Sequence, residues 1–297
     1  MVGSANMDVV FRVERVPGPG ETLLAESVHR YPGGKGLNQA VAAARAGVVT
    51  SFVGALGADG DGDQLRATMN AVGIATSQVR TELLETGQAF IVVDAAGENT
   101  IIVASGANGT VTELGEFDRA AVAASAVLLI QLELPLTAVH QAARAAREAE
   151  VLVVLNAAPA APIDDELLEL VDFLVVNEHE AELLGARFGA GLDPRATLAG
   201  IVPRLVVTLG SRGSVLFEHG AEIAQIAAPS VEAVDSTGAG DSFCGAFAAA
   251  LAEGRDFRSA ASFGTAAAAL SVQRLGALPS IPFRAEIEAA SAGWGLG

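Results

Sequence analysis

Two aspartates flank a run of small residues late in the chain, Asp235-Ser-Thr-Gly-Ala-Gly-Asp241. A β-type run, 223–227, comes before it, and the Ala- and Leu-rich stretch 242–252 reads as a buried helix. Gly238, Ala239 and Gly240 therefore fall where a loop becomes a helix N-terminus. The first N–H groups of a helix have no internal partners and carry about half a positive charge from the aligned peptide dipoles, while glycine lets an anion come close to the backbone. The expected chemistry is anion binding, and a phosphoryl group is the natural occupant. A carboxylate in a first helical turn is favoured by roughly 0.3–1 kcal/mol, which gives Asp241 a purely local explanation. A helix start needs only one such residue, however, and here Asp235 and Asp241 lie on either side of the nest. A carboxylate beside a bound phosphoryl group suits a base acting on an attacking hydroxyl.

Further stretches carry polar groups at places where elements should end. Gly33-Gly34-Lys35-Gly36-Leu37-Asn38-Gln39-Ala40 puts glycines, a cation and an amide at another helix start, where a Gly-rich cap with a solvent lysine is the plainer reading. Asn6 and Asp8, two residues apart in extended chain after a first strand, point the same way and would grip a diol, although a surface turn explains them as well. Gln131-Leu132-Glu133 and Asn177-Glu178-His179-Glu180 leave carboxylates at strand ends. Thr208-Leu-Gly-Ser-Arg-Gly213 is a strand-end glycine turn, which by itself says little more than a hairpin approach.

Other chemistry is excluded by spacing. No Gly-x-x-x-x-Gly-Lys-Ser/Thr, Gly-x-Gly-x-x-Gly or Gly-x-Ser-x-Gly occurs, and His29, His140, His179 and His219 show no metal-ligand spacing. Asp59-Gly-Asp-Gly-Asp63 imitates the start of a calcium loop, but Gln64 and Asn70 stand where glycine and glutamate belong, so a solvated turn is expected. The net charge of −17, from 18 basic and 35 acidic residues, opposes binding to nucleic acid or an anionic membrane surface. One cysteine, Cys244, rules out a disulfide within the chain, and no apolar run reaches the roughly 18 residues of a membrane span, so a cytoplasmic protein is expected. Met1-Val2-Gly3 enters a strand without a charged leader; so short a strand start is what a chain lacking a few upstream residues would show.

The elements that must position these groups follow a β-α-β rhythm. Apolar runs at 50–55, 126–131, 151–156, 173–177 and 204–209 alternate with helical stretches at 38–46, 64–72, 137–148, 165–171 and 178–184, with Gly47, Gly73 and Gly185 at helix ends. Runs apolar at consecutive positions suit a mainly parallel sheet covered on both faces, with ligands at the carboxyl ends of its strands. At 297 residues and 51% hydrophobic, one α/β domain is expected. Four segments break the rhythm, 9–13, 23–31, 89–94 and 100–104, and read as short antiparallel strands outside the main sheet: a discontinuous β lid from about 9–31 and 88–105. Phe90-Ile-Val-Val93 and Ile101-Ile-Val103 make both faces of these strands apolar, which is expected if the lid packs on a second copy in a homodimer, or else on its own chain.

Taken together, the stretches 33–41, 131–133, 155–160, 177–180, 208–213 and 235–241 resemble, in order and over almost the whole chain, the ribokinase-like family of carbohydrate kinases. The resemblance implies a three-layer fold with a small β-sheet lid and transfer of the ATP γ-phosphoryl group to the 5-hydroxyl of D-ribose. Another sugar or a nucleoside is the alternative acceptor, and a non-catalytic sugar or nucleotide sensor on the same fold is a second class. By this resemblance Asp241 is the base, and the N–H groups of Gly238, Ala239 and Gly240 form the anion hole. Asn6, Asp8, Gly34, Lys35, Asn38 and Glu133 match sugar contacts, while Asn177 and Glu180 match the surroundings of phosphate and Mg²⁺. Thr208, Gly210, Ser211 and Gly213 match the nucleotide loop, with Gly240 and Thr265 also on the ATP side. Asp235, Thr237, Ser271, Arg274, Gly276 and Ser280 match a site for an activating K⁺. Two departures concern nucleotide and substrate choice: Thr265 replaces a frequent asparagine, and Leu155-Asn156-Ala157 replaces Leu-Asn-Pro.

Overall fold

A computed structural model describes residues 1–188 and 193–296. Its twelve strands are β1 (Asn6–Arg12), β2 (Ser27–Gly33), β3 (Ser51–Gly57), β4 (Ala75–Glu82), β5 (Gly87–Val93) and β6 (Asn99–Ala104), then β7 (Val127–Ile130), β8 (Leu152–Asn156), β9 (Phe173–Asn177), β10 (Arg204–Thr208), β11 (Ser214–Glu218) and β12 (Ala221–Ile226). The last six form one sheet in the order β12-β11-β10-β9-β8-β7, parallel from β7 to β10 and antiparallel beyond. β3 and β4 pair separately, and Val2 bridges in parallel to both Val53 and Ile130, joining that pair to β7. The expected strand at Met1-Val2-Gly3 is thus a pair of isolated bridges.

The apolar runs behave as buried strands because their side chains alternate between two cores. Leu128, Ile130, Val153, Leu155, Leu174, Val176, Leu205 and Val207 enter one cluster, together with Ala138, Val139 and Ala142 of the helix Leu136–Glu148. Leu129, Val154, Phe173, Val175 and Val206 enter the other, with Phe243 and Phe247 of the helix Ala239–Ala252 and Phe263 of the helix Phe257–Ser271. Each fully buried large aliphatic side chain contributes roughly 1.5–3 kcal/mol, and the two-sided pattern fixes helix–sheet–helix layering. Phe247 meets Phe173 edge-on at 5.5 Å and stacks on Phe243 at 5.8 Å, seating the helix that carries Asp241.

A second sheet, β2-β1-β5-β6, is assembled from the two expected segments, with β1 antiparallel to β2 and parallel to β5. Its boundaries differ from the sequence expectation. Asn6 and Asp8 lie inside β1 rather than after a first strand, and β2 starts only at Ser27, with Leu24 at 94% exposure before it. Every residue of β6 is exposed, Ile101 and Ile102 included.

The Asp59–Asp63 run is a helix start and not a solvated turn. Asp59 caps the helix Gly60–Ala71 by accepting from Gly62 N at 2.7 Å and also takes the Thr86 N–H at 2.8 Å, while Asp61 pairs with Arg30 and accepts from Gln88 Nε2 at 3.0 Å. These contacts tie the small sheet to the main body. The helix Lys35–Arg45 packs on Ala239–Ala252 at unusually close range: a Cβ on Gly245 would come within 2.9 Å of Ala43 N, so only glycine fits. That approach sets Asp241 against Asn38 and Gln39.

Candidate active site

Asp241 is buried in the first turn of its helix, and both its oxygens accept from side-chain amides: Asn38 Nδ2 at 3.0 Å to Oδ2 and Gln39 Nε2 at 2.9 Å to Oδ1. The helix start carries no side-chain cap, because its N-cap is Gly238 in the left-handed region at φ 74°. Of the N–H groups expected at an anion, that of Ala239 donates to the Ser236 carbonyl at 3.2 Å.

A second helix start faces it. Glu133, arriving from the loop after β7, accepts from Lys35 N at 3.0 Å and from the Ser4 hydroxyl, and so caps a helix whose own N-cap is Gly34. Asp8 points over Gly33, where any Cβ would collide with its carboxylate. Burial, with the Glu133 and Asp241 carboxylates nearby, pushes the Asp8 pKa up to about 7, and no hydrogen bond from the described residues reaches it. Burial lowers the pKa of Lys35, but Asp241, Glu133 and Glu180 outweigh this and raise it, so its ammonium is held charged among carboxylates. Asn6 is buried beside them, its Oδ1 accepting from Asn108 Nδ2 at 2.8 Å. The six expected sugar contacts therefore converge: four lie on the ends of β1, β2 and the helix Lys35–Arg45, with Asn38 and Glu133 closing the space.

On the other side of Asp241, Asn177 and Thr208 lie side by side at the carboxyl ends of β9 and β10. Asn177 and Glu180 form a reciprocal capping box, Asn177 Oδ1 accepting from Glu180 N and Glu180 Oε2 from Asn177 N, each at 2.8 Å. Burial raises the Glu180 pKa first of all, and Asp241 adds to the rise. Gly210 and Ser211 lie in an exposed turn after β10 that is closed by the buried Gly213, with φ 92° and no room for a Cβ against Ile226 O. Thr265 is buried in its helix, and its hydroxyl is spent on Ala261 O at 2.9 Å.

Asp235 organises the loop before the nest. Oδ1 accepts from Thr237 N at 2.9 Å and Thr237 Oγ1 at 2.6 Å, and Oδ2 from Gly276 N at 2.8 Å. Burial raises its pKa, but these donors outweigh that and hold it below the ordinary carboxylate range. The Ser271 and Ser280 hydroxyls donate to Ala268 O and Ala277 O within their own helices, which leaves their oxygen lone pairs available, whereas the Arg274 side chain pairs with Glu286, so of this set Asp235, the hydroxyls and backbone oxygens are candidate cation ligands. Among the described residues no group of three or more His, Cys, Asp or Glu side chains is arranged to hold a metal ion, and no helix is long and apolar enough to cross a membrane.

Several site residues were given no role from the sequence, although Gln39, Gln131 and Asn156 lie in stretches it singled out. Asn108, in Gly-Ala-Asn-Gly, reads as a turn residue, yet it is buried and bonds Ala5 N at 3.1 Å as well as Asn6. Ser4 holds Glu133, and Gln39, Gln131 and Asn156 form a buried amide chain behind Asp241.

Fold and site define a three-layer α/β protein in which an uncapped glycine helix start carries a buried carboxylate that lies near a cluster of polar groups on a small separate sheet. The family model for pfkB family carbohydrate kinases matches residues 1–284, and the chain belongs to that family. It is 41% identical to the ribokinase of Haemophilus influenzae over 96% of this chain and 95% of that one. The Thermotoga maritima ribokinase structure superposes with a TM-score of 0.91 at 38% identity, covering 98% of each chain. The Arabidopsis thaliana ribokinase complexed with ribose and ATP does so with 0.90 at 35% identity, covering 97% of this chain and 96% of that one.

Proposed function

We propose that this chain transfers the γ-phosphoryl group of ATP to the 5-hydroxyl of D-ribose, giving ribose 5-phosphate and ADP. One observation carries the reading: the Asp241 carboxylate, held by two amides one residue beyond an uncapped glycine turn, lies beside a donor-free Asp8. Likeness over the full length to an enzyme whose structure holds ribose and ATP supports the choice of both substrates.

In this reading Asp8 and Glu133 accept hydroxyl hydrogens of the sugar, while Asn6, Lys35 and Asn38 fix its orientation, with the backbone at Gly34 beneath it. Asp241 takes the proton of the attacking hydroxyl as its oxygen bonds to the γ-phosphorus and the bond to the β-phosphate oxygen breaks. Charge on the transferring group is compensated by the N–H groups of Gly238, Ala239 and Gly240; that of Ala239 would give up its 3.2 Å bond to Ser236 O. Because such a transition state is loose, alignment matters more than base strength. Mg²⁺ arriving with ATP would neutralise charge on the phosphates, and Glu180, whose second oxygen lies outside its capping box, is the residue that would hold it. Thr208, Gly210, Ser211 and Gly213 carry the nucleotide, with Thr265 behind.

K⁺ fits the Asp235 loop: three donors orient the carboxylate and leave lone-pair capacity toward the backbone oxygens of 271–280. The exposed apolar β6 supports a homodimer through the small sheet, acting as a lid. A cytoplasmic location belongs to the same reading, supported by ATP use and a single free cysteine.

An ATP-consumption screen over pentoses, hexoses and nucleosides tests the assignment, with ribose expected to give the highest kcat/KM. Asp241→Asn should lower kcat by roughly 10²–10⁴-fold with ribose affinity kept within a few fold. A better nucleoside substrate, or near-normal turnover by Asp241→Asn, rejects the acceptor or the base, respectively.

A further inference from the structure

The amide chain behind Asp241 has no part in the mechanism above. Gln39 is fully buried, and its Nε2 donates at 2.9 Å both to Asp241 Oδ1 and to Asn156 Oδ1. Its Oε1 accepts from Gln131 Nε2 at 2.6 Å, and Asn156 Nδ2 is tied to the Val175 carbonyl at 3.2 Å. These bonds permit a single orientation. Reversing the Gln39 amide would set its oxygen against two acceptors and its NH₂ against the Gln131 NH₂, leaving buried polar groups unpaired on both sides. Gln131 is held less tightly: its Nε2 also reaches Met1 Sδ at 3.2 Å, while its buried Oε1 has no hydrogen-bond partner among the described residues.

Asn38, which holds the other oxygen of Asp241, is one of the residues placed toward the sugar, and its Oδ1 is buried without a partner. Its bonds are open to exchange when a substrate enters. The Gln39 bond lies on the far side, anchored to β7 and β8 through Gln131 and Asn156, and is not.

We infer that Gln39 is a positioning residue for phosphoryl transfer, its buried amide locked by Gln131 and Asn156 so that it fixes the Asp241 carboxylate against the incoming hydroxyl. The inference rests on Asp241 acting as the base. Gln39→Met keeps the volume and removes the donor; kcat for ribose should fall on the order of 10–10²-fold, as for a small misplacement of a reacting group, with KM changed less than about 3-fold. The decisive measurement is a double-mutant cycle. If Gln39 acts through Asp241, adding Gln39→Met to Asp241→Asn should cost less than about 2-fold in the residual kcat, whereas a merely structural role would cost the same factor in both backgrounds. Gln131→Met touches neither Asp241 nor the sugar pocket, and should lower kcat in the same direction by a smaller factor with the same non-additivity; it decides the matter if Gln39→Met does not fold. Parent-like kcat in the folded Gln39 or Gln131 variant, or equal losses in both backgrounds, overturns the inference. Normal turnover by Asp241→Asn alone would instead overturn the base assignment, so the two failures are told apart.

Discussion

Asp8→Asn should make the free protein more stable while weakening its grip on ribose. Asp8 is mostly buried, accepts no hydrogen bond from the described residues, and lies near two other carboxylates, which together raise its pKa from 3.8 to about 7. The ionised form is therefore disfavoured in the folded chain by ~4 kcal/mol; as Asp8 keeps partial contact with solvent, we take about half, ~2 kcal/mol. The sign follows from the two pKa values. With the folded value raised, the stability linked to this group is fully present below about pH 4 and is lost as pH rises through about 7. Asn cannot ionise, so the variant should melt about 4–8 °C above the parent at pH 8, and the gap should close as pH is lowered toward 4. Ribose binding moves the other way: losing a charged acceptor for sugar hydroxyls should cost about 1–3 kcal/mol, or roughly 5–100-fold in affinity. The parent itself should bind ribose less well as pH falls below about 7, since only ionised Asp8 offers all its lone pairs. Scanning fluorimetry from pH 4 to 8, with calorimetric titration of ribose without ATP, reads both effects. A melting difference independent of pH, or a variant less stable than the parent at pH 8, would refute the reasoning.

Three further outcomes are expected. Activity should rise on replacing choline with K⁺ at matched ionic strength, and Asp235→Ala, which frees Thr237 and Gly276 from their shared carboxylate, should abolish that response; an unchanged K⁺ dependence contradicts the site. Deoxyribose should be phosphorylated with a kcat/KM lower by about 5–100-fold, because each buried polar group left unpaired costs about 1–3 kcal/mol; comparable values would remove Asn6, Asp8 and Glu133 as hydroxyl readers. Light scattering should give a dimer of the 30.0 kDa chain, and of Ile101→Asp, on the Asp8 face of the sheet, and Ile102→Asp, on the opposite face, the one placing a charge in the contact should yield monomers. A monomeric parent at all micromolar concentrations would reject this.

The central sheet was legible because its strands are apolar at consecutive positions and buried on both faces: β9 has the expected bounds, β8 and β10 differ by one residue at one end, and β7 by one residue at each end. The edges were not. β4, Ala-Thr-Ser-Gln-Val-Arg-Thr-Glu, buries only Val79, and β11 follows so closely on the 208–213 turn that it reads as part of it. Such strands are specified by pairing with a neighbour, and a neighbour is not visible in a single sequence. The Asp59–Asp63 run shows a related limit: Asp59 caps its helix through the local Gly62 N–H, but its second partner, Thr86, is 27 residues away.

The site adds a different lesson. For Lys35 and Asp241 the sequence leaves open both a local role at a helix start and a role toward a ligand, and for Glu133 and Glu180 it shows only carboxylates at strand ends. In this protein the local role is present: Glu180 closes a capping box with one oxygen, and Glu133 caps the helix that begins at Lys35 while lying near Asp8; the proposed role toward a ligand uses the same groups. The reason is physical. A phosphate and a sugar are drawn to helix starts because unpaired N–H groups collect there, and those same groups call for polar side chains to satisfy them when no ligand is present. Where two helix starts face each other, the same side chains are therefore placed to serve as caps and as ligands, and spacing alone does not separate the two readings. What separates the roles is the third dimension: Asp8 is a strand residue with no helix to cap and no donor among the described residues, so satisfying its carboxylate is left to something outside the chain.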